Sequence, residues 1–137
     1  MSNILKNEIL SILQEKNWKE ILCTTPKGTY INPYLEEKTV LVSAKLAPTG
    51  MFASEELCDE LLKQAIIKNI EDIAKFVIKG VPMKTFVTEH EDTIGVVVEV
   101  DENAQITKTT TNKTAFYISK NKDSKAGFTV SAFSPVL

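Results

Sequence analysis

The chain has 137 residues, 43% hydrophobic and 25% charged, with a formal net charge of −2, enough for one domain with a real core. All sixteen basic residues are lysines, so any anion must be held by point charges, hydroxyls or backbone N–H groups, without the bidentate grip of a guanidinium. The negative balance disfavours a general nucleic-acid binder. No apolar run approaches the ~20 residues of a membrane span, and Met1-Ser2-Asn3-Ile4-Leu5-Lys6 lacks the marks of a signal peptide.

Asn3 to about Lys16 reads as an amphipathic helix, with Ile4, Leu5, Ile9, Ile12 and Leu13 near helical spacing. A short second turn carries Trp18, Ile21 and Leu22, and Pro26-Lys27-Gly28 breaks the chain. Thr29-Tyr30-Ile31 reads as a short strand stopped by Asn32-Pro33. Thr39 to Leu46 alternates, with Val40, Val42, Ala44 and Leu46 on one side, which predicts a half-buried strand ended by Pro48-Thr49-Gly50 and presenting Lys45 on its polar face.

Ser54 is a good N-cap, followed by Glu55 and Glu56 where acids suit the helix dipole. The stripe Leu57, Leu61, Ala65, Ile66, Ile70, Ile73, Ala74 and Val77 runs to a C-terminal Gly80, with a bend or break expected near Lys68-Asn69. Five β-like stretches follow: Met83–His90, Ile94–Asp101, Gln105–Thr111, Thr114–Lys120 and Phe128–Phe133. Short polar turns between them favour an antiparallel meander. The fold class is therefore α+β, one domain over residues 1–137, with a helical amino-terminal segment (1–25) and one long helix packed on the sheet.

Glu89–Glu102 is acidic and lysine-free, whereas the last quarter of the chain carries Lys108, Lys113, Lys120, Lys122 and Lys125 against a single acid, Asp123. This segregation reads either as solvated edges and loops or as an electropositive face for RNA or an acidic protein partner. Cys23 and Cys58 are isolated and there is one histidine, so a zinc or iron–sulfur site is not expected, nor any other metal or cofactor. Cys58 lies among leucines and reads as core, with a Cys23–Cys58 disulfide left open.

The order of one helix followed by hairpins, closing on Phe128-Thr129-Val130-Ser131-Ala132-Phe133, resembles the ribonuclease A-like domain of bacterial contact-dependent and other polymorphic toxins. The resemblance covers residues 38–135. It rests on Thr49-Gly50-Met51-Phe52-Ala53-Ser54 before the helix, on the segment from Ala65 to Phe76, and on Ser131-Ala132-Phe133-Ser134-Pro135 at the end. It implies a metal-independent ribonuclease acting on RNA, tRNA among its targets, in the cytoplasm of a target cell, delivered by a secreted parent and matched by an immunity protein. The family's amino-terminal catalytic histidine and its arginine are missing, and Phe133 stands where the family has a tyrosine.

Metal-free RNA cleavage needs a base, an acid and a cation or donor for the phosphorane charge. His90, the natural base, is read on one face with Phe86 and Thr88, among Glu89, Glu91 and Asp92, which would raise its pKa if it were at the surface. Ser131 and Lys120 complete the candidate catalytic set, and Lys45, Thr129 and Tyr117 the substrate-binding set. Tyr30 and Tyr34 could stack on a base or seal the core. The same residues fit a second reading, a catalytically silent member of the fold that works by binding a protein. No DNA-binding feature is present.

Overall fold

The computed structural model describes residues 2–23, 34–79, 81–122 and 124–137. The turn at Pro26-Lys27-Gly28, the strand at Thr29-Tyr30-Ile31, Asn32-Pro33 and the helix stop at Gly80 lie outside them. The chain is α+β, built from α1 (Ser2–Leu13), α2 (Trp18–Leu22), α3 (Glu37–Ala44), β1 (Thr49–Phe52), α4 (Glu55–Lys68), α5 (Ile70–Ile78), β2 (Met83–Glu89), β3 (Gly95–Val100), β4 (Ile106–Thr111), β5 (Lys113–Lys120) and β6 (Phe128–Val136). No described helix is long and apolar enough to cross a membrane.

The strands form two three-stranded antiparallel sheets, ordered β1-β3-β4 and β2-β5-β6. They are not one continuous meander. β2 pairs with β5 in register from Met83 opposite Ser119 to Glu89 opposite Lys113, and the β3–β4 hairpin is an excursion between them. A two-way clasp closes the base of that excursion. The His90 N–H donates to the Asn112 carbonyl at 2.7 Å, and the Asn112 side-chain amide donates to the His90 carbonyl at 2.8 Å.

Two apolar clusters follow from this division. The main one joins the buried faces of α1, α2, α4 and α5 to the inner face of β2-β5-β6, through Ile9, Leu22, Leu62, Ile66, Ile73, Phe86, Phe116, Phe128 and Phe133. The smaller one packs Val40 and Ala44 of α3 on Val98 of β3. Segment 37–44 is thus a helix, not the strand that its alternation suggested, and Lys45 caps its C-terminus in the open. Val40 and Ala44 fall on one helical face while Val42 and Leu46 are exposed. An apolar run of this length fits either period, and packing on the sheet decides.

The segment from Ser54 starts as expected, the Ser54 hydroxyl accepting the Leu57 N–H at 3.1 Å. It divides at Asn69, whose side-chain amide donates both to the Ala65 carbonyl (2.8 Å) and to the Thr88 hydroxyl (3.0 Å). Asn69 therefore ends α4, begins α5 and ties the junction to β2. β1 occupies Thr49–Phe52, where the sequence suggested only a turn, because Gly50 lets its backbone lie directly against Pro135 of β6.

A methyl group at Gly50 would collide with the Pro135 carbonyl, which is main chain and has no side-chain route of escape. Gly50→Ala is expected to cost about 1–3 kcal/mol, read as a lowered urea midpoint. An unchanged midpoint would show that β1 does not rest on β6.

Candidate functional site

The inner face of β2-β5-β6 alternates as the sequence indicated, with Phe86, Thr88 and His90 buried on one side of β2 and its extension. At the far end of that face His90 is 5% exposed, and its Nε2 lies 2.8 Å from Oγ1 of the fully buried Thr114. Nδ1 has no hydrogen-bond partner. His90 is among the residues lining a cleft of about 490 Å³, with Leu61, Gln64, Ile67 and Lys68 of α4 and the connection from Glu91 to Ile94. The Lys68 ammonium reaches across to donate to the Glu89 carbonyl at 3.1 Å.

Burial, with a smaller contribution from the Lys68 charge, lowers the His90 pKa below its usual 6.5. This corrects the expectation of a raised value. The neighbouring acids Glu91 and Asp92 are exposed, while the imidazole itself is removed from water and penalised for becoming charged. The arrangement offers a neutral base whose Nε2 is engaged by a hydroxyl, one cation beside it, and two carboxylates at the rim. That set holds one base, whose Nδ1 is shut off from solvent in this conformation, and it supplies no obvious acid.

The other candidates lie elsewhere. Lys120 ends β5, paired with Phe128, and its ammonium stands 5.8 Å from the centre of the Phe76 ring. His90 lies level with residues 112–114, so at about 3.3 Å per residue Lys120 is roughly 20 Å away along β5. Ser131 is the extra residue of a bulge between the Tyr117–Ala132 and Ile118–Val130 pairs, and its hydroxyl donates to the Tyr117 carbonyl at 3.3 Å. It shares a groove with Tyr117, Ala132, Ser134, Thr49 and Gly50. Thr129 is 1% exposed with an unpartnered hydroxyl, and so is sealed from any substrate in this conformation. Lys45 caps the end of α3 and is not among the residues lining the His90 cleft or the Ser131 groove.

His90, Ser131 and Lys120 thus occupy three places, and only Ser131 and Tyr117 of the named residues share one groove. Tyr30 lies outside the described residues, and Tyr34 packs against the main core. Cys23 and Cys58 are free and buried, each thiol raised to about 12, chiefly by burial. No group of three or more potential metal ligands occurs among the described residues.

The fold is similar to that of a chain in the CdiA-CT/CdiI complex from Y. kristensenii 33638. The two superpose with a TM-score of 0.60 over 85% of this chain and 94% of that one, at 12% identity. Likeness at that identity is likeness of fold. No protein-family model matches the chain, and no curated protein matches it.

Sequence reasoning did not single out Thr114, Lys68 or Gln64. Thr114 carried a usable signal, a hydroxyl at an inward position of a strand whose following inward residues are Phe116 and Ile118. Lys68 and Gln64 carried none, being two of many polar residues on a helix.

Two expectations follow. Because the unfolded chain binds a proton at His90 near 6.5 and the folded chain only at lower pH, His90 should cost no stability above that value and destabilise progressively as pH falls below it. The wild-type urea midpoint should therefore drop more steeply than that of His90→Gln across this range, and parallel curves would refute the burial. Thr114→Val, leaving Nε2 without a partner, should cost about 1–3 kcal/mol, whereas Thr114→Ser should recover most of it in the same titration.

Proposed function

We propose that this chain is a component of a bacterial contact-dependent competition system that acts by binding a cognate protein. The observation that carries this reading is the likeness over most of both chains to one member of a two-protein CdiA-CT/CdiI complex. The dispersal of His90, Ser131 and Lys120 supports binding over catalysis, because a base, a hydroxyl donor and a cation act on one phosphodiester only when they converge. The absence of arginine and the net charge of −2 point the same way.

One observation favours a second reading, metal-independent endoribonuclease activity. Buried His90 lines a cleft beside Lys68 and has its pKa lowered; an opening that exposed its ring would let it take the proton of a ribose 2′-OH while the ammonium offset phosphate charge. The acids Glu91 and Asp92 at the rim oppose a polyanion there.

Co-expression with its cognate protein is expected to give a stoichiometric complex that survives size-exclusion chromatography at physiological salt. Two separate peaks would count against the binding reading. Purified chain is expected to leave tRNA and total RNA intact in the presence of a chelator. RNA cutting that disappears in His90→Ala would instead establish the second reading.

A further inference from the structure

The end of the β2-β5-β6 sheet opposite His90 gathers lysines that are far apart in sequence. α5 carries Asp72 and Lys75 on its exposed side and Lys79 caps its C-terminus, and with Phe76, Val81 and Lys84 they line a cup of about 540 Å³. Lys120 joins it from β5, because its ammonium stands 5.8 Å from the Phe76 ring. Lys84 and Lys120 continue the inward-facing rows of their strands beyond the core, past Phe86 and Ile118 respectively. That is why they meet α5 at the sheet's end.

Four lysines and one aspartate, Asp72, therefore gather about Phe76. None of the four forms an ion pair among the described residues, where the ion pairs are Lys6–Glu71, Lys19–Asp59 and Lys108–Glu37. Two are held against rings instead, Lys120 over Phe76 and Lys84 over Phe86 at 5.1 Å. An aromatic face orients an ammonium without neutralising it, so the local charge stays positive on a chain that is negative overall.

The apolar surroundings say what kind of anion fits. Val81, which lines the cup, is 51% exposed, and its chain neighbours Ile78 and Met83, next to the lining residues Lys79 and Lys84, are 60% and 57% exposed. Nucleic-acid grooves pair their cations with exposed rings on which bases stack, but Phe76 and Phe86 are 3% and 5% exposed. Cations interleaved with exposed aliphatic side chains match a protein surface that alternates acids with apolar residues. We propose that this cup, formed by Lys75, Lys79, Lys84 and Lys120 around Phe76, is the docking surface for an acidic, apolar-interleaved segment of a protein partner. The proposal rests on the reading of the chain as a partner-binding component.

The test is titration of the ¹⁵N-labelled full chain with a synthetic peptide of Glu-Glu-Leu repeats and, separately, with a uridine oligonucleotide of equal charge. Saturable shifts confined to residues 72–84 and 118–122, stronger for the peptide, and weakened about tenfold in Lys75→Gln/Lys79→Gln/Lys84→Gln/Lys120→Gln, would support it. The four positions are solvent-facing or partly so, and an unchanged urea midpoint would establish that the variant folds. Tighter binding of the oligonucleotide would overturn it in favour of nucleic acid, and no peptide response, or shifts elsewhere, would overturn it outright. If a cognate protein binds wild type and the four-lysine variant equally, the cup is not the docking surface and partner binding stands. If no cognate protein binds wild type, the underlying reading falls with it.

Discussion

The rest of the molecule depends on a row of phenylalanines. Phe86, Phe116 and Phe133 lie opposite one another across β2, β5 and β6. Phe86 and Phe116 stack with ring centres 5.2 Å apart, and Phe52 of β1 stacks on Phe133 at 5.0 Å. The row fixes the register of one sheet and pins the other to it. Aromatic side chains bury large areas and keep preferred geometries, and a one-residue slip would turn the whole row to solvent. Helices α1, α4 and α5 contribute to the cluster that closes over this row.

Once the row is fixed, the positions of the chemically capable groups follow from period-two geometry. Moving from Phe86 towards the β3–β4 excursion, the inward positions are Thr88 and His90. Moving the other way, the next is Lys84, already beyond the core. His90 is consequently buried at a fork in the chain, clasped by Asn112, and Lys84 is delivered to the open end beside α5. The two ends differ in kind. One holds a buried imidazole with a lowered pKa beside a cleft, the other a positive rim. The location of His90 at the fork also gives it a structural task, because its main chain joins the two sheets there.

Much of the framework was legible in the residues. Strands β2 to β6 fell within a few residues of their expected limits, because alternating Val, Ile, Thr and Phe between polar turns is a local signal. Ser54 and Asn69 mark the helix boundaries for equally local reasons, the first a hydroxyl cap and the second a side-chain amide that bonds to its own preceding turn. Segment 37–44 misled, since Val40-Leu41-Val42-Ser43-Ala44 satisfies both periods over so short a run. β1 was hidden by Thr49-Gly50, residues typical of a turn that here permit close approach to β6. The pairing of β2 with β5 was hidden too, because a meander and a hairpin excursion have the same local sequence.

The sequence by itself determined the class of fold, the lack of arginine, the single histidine and the uneven distribution of charge, all of which are matters of composition and local period. Folding in three dimensions settled that His90 is buried with its pKa lowered, that it lies apart from Ser131 and Lys120, and that Lys120 joins Lys75, Lys79 and Lys84 about Phe76. The reason is physical. A pKa depends on the water removed by residues distant in sequence, and a cluster depends on which strand lies next to which, a choice made by packing the phenylalanine row and not by any neighbouring residue.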